Sequence, residues 1–107
     1  MYSSPCKLVN GEYVIRSSVI KIDLSSIKKS DELHSALSNS LNFPGWYGRN
    51  WDAFWDAISA LVEMPKELEF YGWNVFSERM PHHAKMLQQC LTQLAAEFPE
   101  LAPEVRY

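Results

Sequence analysis

Two short runs of strand-forming residues, VIKIDL at 19–24 and ELEFY at 67–71, are separated by more than forty residues of helical pattern. This spacing is the strongest constraint on the fold. Strands that alternate with helices pair in parallel, and the crossover between them is right-handed. In the first run Val19, Ile20, Ile22 and Leu24 read as a buried strand. In the second, Leu68 and Phe70 take one face and Glu67, Glu69 and Tyr71 the other.

Between the strands, Ser30 to Leu41 reads as an amphipathic helix, with Ser30 as N-cap, Asp31 and Glu32 at the positive end of the dipole, and Leu33, Ala36, Leu37 and Leu41 as its stripe. A loop follows, forced by Pro44, Gly45 and Gly48. A second helix then runs from Asn50 to Val62 and is stopped by Pro65. Beyond the second strand, NVFSERM suits a short helix, Pro81 opens a long helix through Glu97, and EVRY is a closing strand. Ahead of the first strand, Asn10-Gly11 lies between apolar residues and predicts an N-terminal β-hairpin. The expectation is one α/β domain over residues 1–107.

The chemistry concentrates in PGWYGRNWDAFWDAI, residues 44–58. On a wheel with Asp52 at the origin, Asp56, Ser59 and Glu63 fall within about 40° of it, forming one polar edge. Phe54, Ala57, Ile58 and Leu61 form the core stripe, with Trp51 and Trp55 on its flank. Asp52 and Asp56 repel each other at a spacing of four, and no basic residue at 48, 59, 60 or 63 relieves them. With Trp46 and Tyr47 in the preceding loop, the edge combines carboxylates with aromatics, a composition suited to a cationic partner.

Charge agrees. Residues 42–72 hold Asp52, Asp56, Glu63, Glu67 and Glu69 against Arg49 and Lys66, so the net charge of −3 resides there. That is the wrong sign for gripping nucleic acid. No run is long enough to span a membrane, and the N-terminus lacks a signal peptide's basic start and apolar region, so a cytoplasmic chain is expected. Cys6 and Cys90 then read as free thiols, His34, His82 and His83 as surface imidazoles, and no metal site or cofactor is expected.

FPGWYGRNWDAFWDAISALVEMPKELEF resembles the signature of the barstar family of ribonuclease inhibitors, a P-x-[aromatic]-Y-G-x-N-x-D-A-x-W-D pattern that crosses from loop into helix. The resemblance implies a small three-stranded parallel sheet covered by helices, the hairpin being an addition. It also implies an inhibitor, not an enzyme, whose loop and second helix plug a nuclease active site. Tyr47, Gly48, Asn50, Asp52, Trp55 and Asp56 match the family's positions, and Trp46 stands where a Tyr is usual. Leu61 replaces an interface Trp, and Thr92 falls where the last helix usually has an acid.

The expected contact set is therefore Trp46, Tyr47, Gly48, Asn50, Asp52, Trp55, Asp56, Ser59 and Glu63. Its carboxylates would occupy the places of phosphate oxygens in a basic active site. The expected partner is a cognate ribonuclease or nuclease toxin domain, bound one to one by a chain that is monomeric when free. Paired carboxylates also occur as general acid and base in glycosidases, but there they flank a cleft from separate elements. An acidic adaptor that docks a basic domain without inhibiting it is the alternative reading.

Overall fold

The computed structural model describes residues 7–9, 12–14 and 19–107 of the chain. Strands β1 (Lys7–Val9) and β2 (Glu12–Val14) pair antiparallel. The Asn10-Gly11 turn expected between them, and Cys6, lie outside the described residues. A second sheet has the order β3 (Val19–Asp23), β4 (Glu67–Tyr71), β5 (Glu104–Arg106), all parallel.

Between β3 and β4 lie α1 (Ser30–Leu41), α2 (Trp51–Asp56) and a π-turn (Ala57–Leu61); between β4 and β5 lie α3 (Trp73–Arg79) and α4 (Pro81–Glu97). This is the strand–helix alternation read from the sequence. Lys29 rather than Ser30 is the N-cap of α1, and it makes no side-chain cap bond. Instead the Glu32 carboxylate accepts from the Lys28 amide at 2.8 Å.

Register alternation makes the sheet one-sided. Ile22, Leu68 and Phe70 are buried against the helices, while Lys21, Asp23, Tyr71, Glu104 and Arg106 are exposed. The core joins them to Leu24, Leu33, Leu37, Phe54, Ile58, Phe76, Leu87, Leu91 and Leu94. Val19, expected inside, is 38% exposed on the edge strand β3.

The second helix departs from its expected course. Regular α-helix ends at Asp56, and the Val62 amide donates to the Ala57 carbonyl, five residues back, at 3.1 Å. At Ser59 the hydroxyl donates to the Trp55 carbonyl, four residues back, at 2.6 Å, a bond of the kind that bends helices. The widened turn changes the angle per residue, so a wheel with 3.6 residues per turn fails beyond position 56. Leu61, expected in the core, is 46% exposed, and Glu63 lies past the helix in the coil before β4. Asp52, Asp56, Ser59 and Glu63 thus do not form a single polar edge.

Candidate functional site: an aromatic groove beside Asp56

The loop that carries the aromatics is fixed at both ends. Asn42, with φ 62°, closes α1 in the left-handed region, and the Phe43 amide donates to the Ser38 carbonyl. Phe43 is buried and holds the ring of Tyr47 at a centroid distance of 4.8 Å. The Tyr47 amide donates to the Pro44 carbonyl at 3.0 Å, a tight turn that leaves Trp46 at its tip, 73% exposed.

At the far end, the Asn50 carboxamide oxygen accepts from the Ala53 amide at 2.7 Å, the side-chain capping bond of α2. Its amide group donates to the Gly48 carbonyl at 3.2 Å. Asn50, one of the expected contact residues, is therefore occupied in building the loop-to-helix junction. A Cβ on Gly48 would lie 3.3 Å from both the Ala53 Cβ and the Asn50 amide nitrogen, so the close approach of loop and helix favours a glycine there.

Deeper anchorage comes from a residue expected on the surface. His34 is 1% exposed, and its Nδ1 lies 2.7 Å from the Tyr47 hydroxyl. With the ring proton on Nε2, the hydroxyl donates and Nδ1 accepts. Burial, then the nearby charges of His83 and Arg49, lowers the His34 pKa; burial pushes the Tyr47 phenol up. Neutral forms are therefore favoured on both sides of this bond. The apolar neighbours Leu33 and Leu37 set His34 on a buried helix face, but its polar partner is thirteen residues away and is visible only in the fold.

Trp46, Tyr47 and Gly48 from the loop, with Ala53, Asp56, Ala60 and Leu61 from α2 and the π-turn, line a groove of about 300 Å³. Asp56 is the sole ionisable carboxylate among these lining residues. It is exposed and makes no ion pair among the described residues, and the same holds for Asp52. Burial, and then the charge of Asp52, raises the pKa of the Cys90 thiol on α4. Asp52 lies in the first turn of α2, where a carboxylate favours the positive end of the helix dipole, and Asp56 lies at its last residue.

Of the nine expected contact residues, the groove gathers Trp46, Tyr47, Gly48 and Asp56. Trp55 is half-buried instead, its ring 6.4 Å from that of Phe98. Ser59 is turned back onto its own helix. Leu61, Ala53 and Ala60 were not among the expected contacts, although the family resemblance had put Leu61 where an interface Trp is usual; helical periodicity alone placed it in the core. Arg49 was also outside that set: it sits in the loop at φ 56°, donates to the Ser35 hydroxyl at 2.9 Å and lies 3.9 Å from Asp31.

The groove, with Asp56 in its otherwise mostly apolar lining, is carried by a fold of three parallel strands and flanking helices. Comparison with known proteins identifies its kind. The family model of barstar (barnase inhibitor) matches residues 17–106, and the chain belongs to that family. It is similar to YrdF of Bacillus subtilis (strain 168), a candidate ribonuclease inhibitor, with 30% identity over 83 residues covering 74% of this chain and 91% of the relative. By family membership the chain is a non-catalytic protein.

Proposed function

We propose that this chain binds a ribonuclease, or the nuclease domain of a toxin, and blocks its active site with the groove and carboxylates of 46–61. The observation that carries the reading is the groove, where the exposed Trp46 and Leu61 stand beside the unpaired Asp56. A nuclease active site gathers Arg, Lys and His around the substrate's phosphates. Asp56, with Asp52 one helical turn earlier, offers oxygens to those cations, while the apolar walls take a ring or an aliphatic stem from the partner.

The barstar family and the ribonuclease-inhibitor description of YrdF support the same direction. The reading comprises one domain over residues 1–107, monomeric and cytoplasmic, that forms a one-to-one complex, with the β1–β2 hairpin an addition to the family's sheet. The partner is either the organism's own secreted ribonuclease or a toxin delivered between competing cells. An adaptor that docks a basic domain without blocking it is the rival.

The test is RNA cleavage by barnase, and by the basic nuclease encoded nearest to this chain's own gene, as purified chain is added. Arrest of one of them at about one equivalent supports the inhibitor. Tight binding with undiminished cleavage supports the adaptor.

A further inference from the structure

Trp51 opens α2 immediately before Asp52, and its indole is enclosed by three rings. The ring of His34 from α1 lies at 4.8 Å, Phe54 at 5.4 Å edge-on, and His83 from α4 at 5.9 Å. Its Nε1–H donates to His83 Nδ1 at 3.2 Å. This bond joins the first residue of the short α2 to the first turn of α4, across thirty-two positions of sequence.

The two histidines of this cluster differ in what a proton does to them. An indole nitrogen can only donate, and a neutral imidazole accepts only through its unprotonated nitrogen. Protonated His83 would carry N–H groups on both nitrogens, setting two donors against each other at Trp51. Protonated His34 would still have a partner, because Nδ1–H can donate to the Tyr47 oxygen. Only the His83 contact is incompatible with the added proton.

We infer that His83 is a positioning residue for the binding surface: neutral, it holds Trp51 and the start of α2 against α4, and protonated, it releases them. The functional meaning rests on the reading of 46–61 as a binding surface; the switch itself does not. The groups around His83 are His82 on its own helix, with the rings 5.6 Å apart, the indole of Trp51 from α2, and His34 from α1. More remote in the cluster are Asp52 on α2, Cys90 on α4, and Asp31 and Arg49 around His34. Burial, and then the charge of His82, lowers the His83 pKa, so the holding form predominates at neutral pH and release belongs to mildly acidic conditions.

The experiment is NMR on the ¹⁵N-labelled full chain from pH 8 to 5, with the Trp51 indole signal identified by Trp51→Phe and the His83 titration followed directly. The Trp51 indole N–H should shift, and its protection from exchange, taken against the intrinsic rate at the same pH, should fall roughly two- to tenfold as His83 protonates, as expected for loss of about one net hydrogen bond. Backbone amides of residues 47–52 should move with the same midpoint. His83→Gln, which keeps an acceptor but cannot titrate here, should hold the neutral-pH spectrum throughout; His83→Leu should give the released spectrum even at pH 8. An indole signal indifferent to pH while His83 titrates would overturn the inference. So would site amides of His83→Gln that titrate with the parent's midpoint and amplitude, which would assign the effect to His34. Because no nuclease is present, failure here is separate from failure of the inhibitor reading.

Discussion

Gly72→Ala should be among the most damaging single-methyl additions in the molecule. Gly72 links β4 to α3 with φ +70°, a left-handed conformation that costs an alanine about 1–2 kcal/mol. The new Cβ would also lie 2.5 Å from the Ser25 Cβ and 2.8 Å from both the Ser25 Cα and amide nitrogen, distances that require something to move. Two of these three atoms are backbone. The Ser25 turn has little freedom, because its carbonyl and that of Ile27 both accept from the Arg79 guanidinium at 3.0 Å. Overpacking of this kind costs about 1–3 kcal/mol, so the total is about 2–5 kcal/mol. That is a large fraction of a small domain's stability, about 5–15 kcal/mol.

The assay is urea denaturation followed by circular dichroism, with Gly45→Ala as the reference. Gly45 has nothing within 4 Å of a built Cβ and no positive φ, so its substitution should be neutral or stabilise by up to about 1 kcal/mol. A Gly72→Ala loss below about 1 kcal/mol, with an unchanged denaturant slope, would refute the argument from close approach.

Three other perturbations test separate parts of the structure. Asn50→Ala should cost about 0.5–2 kcal/mol of unfolding free energy through loss of the α2 cap. Ile58→Ala, at a position 1% exposed, should cost about 2–5 kcal/mol, while Leu61→Ala, at 46% exposure, should cost less than about 1 kcal/mol; equal losses in thermal denaturation would deny the π-turn. Stability should also fall as pH is lowered below about 6.5, because His34 and His83 bind protons less readily folded than unfolded. Their contribution is fully present above the unfolded imidazole pKa and is lost as pH falls below it, so urea midpoints at pH 5 should lie below those at pH 7.5.

The elements most legible in the sequence are those set by long-range pattern. The alternating Leu68 and Phe70, the apolar stripe of 81–97 and the Pro81 start locate β4 and α4 without reference to their neighbours. Departures arise where one side chain bonds a backbone group or finds a distant partner. The Ser59 hydroxyl's bond to the Trp55 carbonyl is a local contact that periodicity does not register, and the adjoining π-turn turns Leu61 outward. His34 illustrates the second case: on α1 it resembles any polar residue beside a leucine stripe, until Tyr47 folds back over it. In the candidate site, the loop aromatics and Asp56 were legible from residue type and spacing, whereas the groove that unites them depends on the loop's approach to Ala53 and Ala60.

In the proposed complex Asp56 and Asp52 meet the cations of a nuclease active site. The affinity of purified parent, Asp56→Ala, Asp52→Ala and Glu100→Ala for the cognate ribonuclease reports on these contacts, with circular dichroism as the folding control. Removing one member of an ion pair that binding buries costs about 3–5 kcal/mol, roughly two to three and a half decades in Kd. Asp56→Ala should show a loss of that order, Asp52→Ala a loss in the same direction, and Glu100→Ala, exposed beyond α4, almost none. Folded Asp56→Ala and Asp52→Ala proteins that both inhibit as well as the parent would contradict the phosphate-mimic account, even with the fold intact.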